Sequence, residues 1–252
     1  MSIAFDREAL ELGALDVRDR DKIVVDLRRT EKPQTPAATT TAPEILVRRE
    51  VSATKRFLKR AIDVVGASVL LVVAAPIAAC IALAIRVTSG KHVLFKQTRV
   101  GLDGSLFTMY KFRTMVRDAE DLRHQLVEHN EADGLLFKIA DDPRVTRLGR
   151  VLRPLGLDEL PQLLNVVKGN MSLVGPRPAL PVEVDKYDER LKARLWVKPG
   201  LTGLWQINGR HELSFDDYAR FDLHYVDNWS LMLDLWVLLA TLPALLRRRG
   251  AY

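Results

Sequence analysis

The run AIDVVGASVLLVVAAPIAACIALAI, from Ala61 to Ile85, decides how this 252-residue chain is built. Its single charge is Asp63, near one end, and Arg86 closes it. A helix apolar on every face is not an ordinary amphipathic core helix. Drawn straight it measures about 37 Å, slightly more than the roughly 30 Å hydrocarbon core of a bilayer. Lys55, Arg56, Lys59 and Arg60 precede the run, and Arg86, Lys91, Lys96 and Arg99 follow it. Positive charge stays on the cytoplasmic side, so both ends favour the same side. Pro76 lies inside the run. It removes a backbone donor and crowds the preceding turn, leaving arms of about 22 Å and 15 Å, each too short to cross. The residues therefore point to a re-entrant helix–break–helix over 54–86 with its break at Pro76. A true span stays open, because spanning helices tolerate proline.

Before this run the composition differs. Residues 1–53 hold ten acids and nine bases, and EKPQTPAATTTAP (Glu31–Pro43) carries almost no large apolar side chain. Such a stretch cannot offset its ordering entropy by burial, so 1–53 reads as a disordered polar tail, with nothing resembling a signal peptide. The remainder carries 29 bases against 22 acids, a formal +7 against −1 for the tail, so the basic character of the chain belongs to residues 54–252 and favours polyanionic partners. One cysteine, Cys80, excludes an internal disulfide framework and a cysteine-clustered zinc site.

After the run, residues 87–230 read as a small cytoplasmic catalytic body. Val93–Phe95 and Leu106–Tyr110 have strand character around a Gly101–Gly104 turn. Asp118–Asn130, Asp158–Val167, Glu183–Leu195 and Phe215–Asp227 read as helices. Residues 231–249 end in Arg247-Arg248-Arg249 after the apolar Leu231–Leu246. They suit an amphipathic helix at the membrane face, or equally a C-terminal core helix. The expected class is α+β, predominantly helical, in a monotopic membrane protein.

Candidate chemistry concentrates in DDPRVTRLGRVLRPLGLDELPQLLNVVKGNMSLVGPRP, Asp141 to Pro178. Arg144, Arg147, Arg150 and Arg153 recur every three residues, and on one helix they would form a guanidinium stripe suited to phosphate. Asp158 and Glu159 follow at the expected start of a helix. Adjacent carboxylates beside cations suit a divalent metal shared with substrate phosphates, and a carboxylate can serve as nucleophile in phosphoryl transfer. The plainer reading makes Asp158 an N-cap and Glu159 a first-turn acid. In Gly175-Pro176-Arg177-Pro178 two prolines hold one arginine rigidly. Lys111 and Arg113 could present further cations to an anionic substrate, or merely alternate on a strand. The residues alone also admit a membrane-tethered basic protein that binds anionic lipid or nucleic acid, or a Mg²⁺-dependent phosphohydrolase.

KRAIDVVGAS, LFKQTRVGLDGSLFTMYKFRTM, DDPRVTRLGRVLR, LDELPQLLNVVKGNMSLVGPRP, KPGLTGLWQINGR and LHYVDNWSLMLDL, in this order, resemble the bacterial sugar transferases, monotopic polyprenyl-phosphate phosphoglycosyl transferases. The resemblance covers roughly Thr54 to Thr241. It implies transfer of a sugar 1-phosphate from a UDP-sugar to undecaprenyl phosphate, the first membrane step of exopolysaccharide or other surface-glycan synthesis. It places the enzyme on the cytoplasmic face of the bacterial inner membrane, with no nucleic acid partner; a homodimer stays open. Asp158 would be the nucleophile, Glu159 would help hold Mg²⁺ or Mn²⁺ together with Asp158, and Arg177 would bind phosphate, with Arg153, Lys111, Arg113 and Arg144 nearby. The re-entrant helix of the family would fall on Lys59–Ile85 and break at Pro76. Two departures stand out: Leu155-Gly156 replaces a frequent Thr-Ser before the acids, and Asn170 stands where aspartate is common.

Overall fold

The computed structural model describes Arg48, residues 50–131, Phe137, Ile139, 141–208 and 214–246. The expected polar tail up to residue 47 and the arginines 247–249 lie outside the described residues. The helix α1 spans Ala53–Ser89, capped by the Ser52 hydroxyl, which accepts from the Lys55 N–H. The backbone stays helical through Pro76, so the expected break is not an interruption of the helix. Among the described residues α1 is the one helix long and apolar enough to cross a membrane.

Burial along α1 is confined to its two ends. Asp63 and Ala67 are buried near one, Ile81 and Ile85 near the other, while Val69, Leu70, Val72, Val73 and Ile77 between them are exposed. An antiparallel hairpin, β1 (Leu94–Val100) and β2 (Leu106–Phe112), follows with Leu94 opposite Phe112 and Val100 opposite Leu106. Its turn carries Asp103 at φ 53° and Gly104 at φ 81°, the left-handed geometry that Asp and Gly tolerate best. The expected helix 118–130 is only a short α2 (Ala119–Leu122) continued as a 3₁₀ turn over Arg123–His129. Next come α3 (Arg147–Leu152) and α4 (Gln162–Lys168), the latter ended by Gly169 at φ 90°. Strand β3 (Ser172–Val174) pairs in parallel with β4 (Gly200–Thr202). Between them the expected single helix 183–195 is divided into α5 (Pro181–Val184), α6 (Glu189–Lys192) and a 3₁₀ turn, because Asp188 caps a fresh start by accepting from the Leu191 N–H. Then α7 (Leu204–Ile207), α8 (Phe215–Asn228) and α9 (Leu231–Leu246) complete the described chain. The architecture is thus mostly helical with two small two-stranded sheets.

Both ends of α1 rest on this body. Near the first, the Arg60 guanidinium donates to the Val166 and Val167 carbonyls at the end of α4, at 2.6 and 2.7 Å. Near the second, Ile81 and Ile85 pack with Phe112 and Leu152. Asp63 and Asp234, the lone acids of two apolar segments, have structural partners. Asp63 accepts from Lys59 Nζ (3.2 Å), Ser172 Oγ (3.0 Å) and the Leu173 N–H (3.0 Å). Asp234 accepts from the Tyr225 hydroxyl (2.7 Å) and Trp229 Nε1 (3.2 Å), and its carboxylate pairs with Lys59 Nζ at 2.9 Å. Buried charges persist only when paired and hydrogen-bonded. Lys59 therefore ties the start of α1 to the start of α9.

Helix α9 shows two faces. Asp234 and Val237 are buried, while Met232, Leu235, Leu239 and Leu242 form an exposed apolar stripe at helical spacing.

Candidate active site

The acids sit where the chain reverses between α3 and α4. Thr146 caps α3, its hydroxyl accepting from the Gly149 N–H at 3.0 Å. Arg153 ends that helix, and Gly156 (φ 65°) turns the chain left-handed into a 3₁₀ turn, Leu157–Glu159. Asp158 and Glu159 thus precede α4 on a separate tight turn, rather than opening the helix as expected. Leu157 and Leu160 pack against the Ile81–Ile85 cluster, which draws the turn inward. Asp158 is consequently only 7% exposed.

That burial is the main reason the Asp158 carboxyl is raised above the usual aspartate range. The Lys111 ammonium opposes the shift, Glu159 adds to it, and Arg153 opposes it. Lys111 reaches across from β2, and its Nζ donates to Glu159 at 2.9 Å. The site is therefore a carboxylate pair in which one member is desolvated and the other held by a lysine. Arg153 and Lys111, both expected here, face the acids electrostatically.

Arg177 follows β3 on the Gly175–Pro178 turn. Its Nη1 donates to both oxygens of buried Glu183, at 3.0 and 3.3 Å, and Glu183 also accepts from the Leu180 N–H. The turn is closely packed against β4: a Cβ on Gly200 would lie 2.1 Å from the Gly175 nitrogen, so glycine is required there.

Arg99, read from the sequence only as a charge flanking the apolar run, meets this turn. It is buried, and its Nη1 donates to the Pro178 carbonyl at 2.8 Å. Burial lowers its pKa to about 9. The charge of Arg177 adds to the drop, while Glu183, Tyr218 and Glu159 oppose it. Arg99 thus feels the charges of both Arg177 and Glu159. Nothing in the sequence marked this role, because the Pro178 carbonyl it meets is 79 residues away.

Two further expected cations are engaged by other partners. Arg113 donates through Nε to the His92 carbonyl. Arg144 is buried against Asp142, donating at 2.6 to 3.2 Å, and against the Ala119 carbonyl. Burial alone would raise the Asp142 carboxyl, but the Arg144 hydrogen bonds hold it below the usual range. The guanidinium stripe does not form, because α3 begins only after Thr146 and Arg144 precedes it.

Among the described residues no group of three or more His, Cys, Asp or Glu could hold a metal ion unaided. Asp158 and Glu159 nonetheless supply adjacent hard oxygens. Mg²⁺ commonly takes one or two carboxylates, keeps several waters and completes its shell with substrate phosphates. The donor set fits a metal shared with a phosphate-bearing substrate.

The pair also lies beside apolar exposed surface. Val151 and Leu155 are exposed, and a Cβ on Gly156 would lie 3.5 Å from Leu245 of α9.

Comparison with known proteins gives consistent matches. The family described as bacterial sugar transferase matches residues 54–248. The chain is 44% identical over 194 residues to the galactosyl transferase CpsE of Streptococcus agalactiae, covering 77% of this chain and 43% of that protein. It is 42% identical over 198 residues to the exopolysaccharide production protein ExoY of Rhizobium meliloti, covering 77% and 88%. It is 43% identical over 205 residues to the UDP-glucose:undecaprenyl-phosphate glucose-1-phosphate transferase of Caulobacter vibrioides, covering 77% and 72%. The chain thus spans less than half the length of the first of these and most of the other two.

Proposed function

The chain belongs to the bacterial sugar transferase family, and from that premise we propose that it moves a sugar 1-phosphate from a UDP-sugar to undecaprenyl phosphate. The observation that carries the reading is the desolvated Asp158 beside the Lys111-bound Glu159, with Arg153 acting on Asp158.

The chemistry runs as two displacements at one phosphorus. An Asp158 carboxylate oxygen attacks the β-phosphorus of the donor. The bond from that phosphorus to the bridging oxygen breaks, and the electron pair leaves with UMP. An acyl phosphate then joins Asp158 to the sugar phosphate. An oxygen of the lipid phosphate attacks the same phosphorus, the Asp158–phosphorus bond breaks, and the carboxylate returns. Burial serves this sequence, since a carboxylate stripped of water is a stronger nucleophile than a hydrated one. Lys111 orients Glu159. Arg177, rigid between two prolines, and Arg153 offset the charge of the two phosphate-bearing substrates. Mg²⁺ or Mn²⁺, held by Glu159 and Asp158, would neutralise charge on the diphosphate and aid departure of UMP. Membranes carrying the chain, given UDP-sugar and undecaprenyl phosphate, are expected to release UMP and form a lipid-linked sugar. EDTA should stop both and Mg²⁺ restore them; UMP formation that ignores EDTA would remove the metal from the reading.

The membrane reading is a re-entrant α1, bent at Pro76 while its backbone stays helical. Proline bends helices commonly without interrupting them. Its support is that Arg60 and Ile85, near opposite ends, both contact the body while Val69–Ile77 stands clear. A bent helix with both feet on a cytoplasmic body brings the acids to the depth of a lipid phosphate. The exposed stripe of α9 would lie in the same interface. Cys80 is exposed, so a Cys80→Ala background gives a clean test with cysteines introduced at Ser52 and Ser89. An impermeant thiol reagent should label both from the cytoplasmic side only; labelling from opposite sides would establish a span.

A further inference from the structure

A cavity of about 630 Å³ opens beside the first turns of α1. Neither Asp158 nor Glu159 lines it, nor does Lys111, Arg153 or Arg177. Five cationic side chains line it against three acids. Arg48 is paired with Asp103 at 2.7 Å and Lys59 with Asp63 and Asp234 at 3.2 and 2.9 Å, which leaves Arg56, Arg60 and Lys198 without a carboxylate partner among the described residues. Asp63 is occupied by Lys59, Ser172 and the Leu173 N–H. Glu50 and Asp227 are the other two acids. Arg60 donates to neutral carbonyls, Val166 and Val167, so no carboxylate neutralises it there. Lys198 comes close to it: a Cβ on Gly169 would meet the Arg60 guanidinium at 3.3 Å and Lys198 Nζ at 3.7 Å. Two cations brought together on a partly buried wall repel each other unless an anion joins them. Burial, then the charges of Arg60 and Lys59, hold the Lys198 ammonium below its ordinary pKa, with Asp63 opposing. Exposed Arg56 stands on the same wall.

The surroundings say what kind of anion fits. Trp196, Trp229 and Tyr225 line the cavity, side chains suited to the boundary between water and hydrocarbon. Two exposed apolar faces begin beside it. Phe57, Leu58, Ile62 and Val65 belong to α1, Met232 and Leu235 to α9, and the Lys59–Asp234 pair brings the starts of these helices together. A soluble anion would make no use of those faces.

We propose that this cavity binds the phosphate head group of an anionic phospholipid whose acyl chains lie along the exposed faces of α1 and α9. The lipid is a resident of the bilayer and not the acceptor, since the lining excludes every residue placed at the reacting phosphorus. The proposal rests on the reading of α1 as membrane-embedded.

The full chain, purified in mild detergent from membranes containing phosphatidylglycerol, should keep one phosphatidylglycerol in native mass spectrometry. Lys198→Gln and, separately, Arg56→Gln should lower that retention about tenfold, the loss expected for one charge-assisted contact. UMP release by both variants in mixed micelles should match the unmodified chain, which also reports that they fold. Excess inorganic phosphate should not displace the lipid, and phosphatidylcholine should not replace it. Unchanged retention in both variants overturns the proposal. So does equal retention of phosphatidylcholine, displacement by inorganic phosphate, or displacement by undecaprenyl phosphate, the last of which would assign the cavity to the acceptor. An unmodified chain that binds phosphatidylglycerol yet releases no UMP would instead count against the transferase reading alone.

Discussion

Asp158→Asn is expected to abolish UMP release from UDP-sugar, by at least about 10³-fold, or about 4 kcal/mol of barrier. The substitution keeps the side chain's size and its place on the Leu157–Glu159 turn, and removes only the charge of the proposed nucleophile. An amide oxygen does not form the acyl phosphate, so no parallel route remains through the same geometry. A second readout separates this from loss of binding. Without undecaprenyl phosphate, the unmodified chain should give a burst of UMP equal to the amount of enzyme, because the first displacement needs no acceptor. The burst should also weaken toward acid. Burial pushes the Asp158 carboxyl up, so the carboxylate is populated only above a pH higher than the ordinary aspartate value of about 3.9. Glu159→Gln should retain a slower burst, since that residue orients and charges the site without being attacked. Asp158→Asn releasing UMP within tenfold of the unmodified chain would eliminate the covalent route.

These acids were legible in the sequence because adjacency survives any folding: Asp158 and Glu159 stay neighbours whatever turn carries them. The apolar run was legible for the same reason, being one continuous segment. Patterns that presuppose a helix fared differently. The three-residue arginine spacing has meaning as a stripe only if one helix carries all four, and Thr146 starts α3 after Arg144. The charged anchors of the membrane helix were illegible for another reason. Lys59 meets Asp234, and Asp63 meets Ser172, contacts between segments more than a hundred residues apart. Each acid in isolation looked like a flaw in an apolar segment. Arg99 shows the same limit, since its role comes from the Pro178 carbonyl it reaches.

Behind Arg177 lies the pair on which the largest loss of stability is expected. Arg194 and Asp222 form a salt bridge with side chains 1% and 2% exposed. The same guanidinium donates to the Tyr187 hydroxyl at 2.5 Å, to the Tyr218 hydroxyl and to the Arg177 carbonyl at 3.2 Å. Burial pushes the Asp222 carboxyl up to about 6 against the pull of Arg194, so the pair is held at a desolvation cost. Asp222→Ala leaves a cation buried among neutral partners, which costs about 3–5 kcal/mol, a large share of the about 5–15 kcal/mol that a folded domain possesses. The thermal midpoint should fall by about 10 °C. Activity should fall further than stability alone explains, because the Arg177 carbonyl leans on the guanidinium that has lost its counter-charge. Arg194→Met combined with Asp222→Leu discriminates between the two effects. Replacing a whole buried ion pair by apolar groups is often close to neutral for stability, so the double variant should regain most of the midpoint. It should not regain UMP release, since nothing then donates to the Arg177 carbonyl from that side. A single Asp222→Ala variant that melts within a degree or so of the unmodified chain would show that the buried Arg194–Asp222 pair adds nothing to stability.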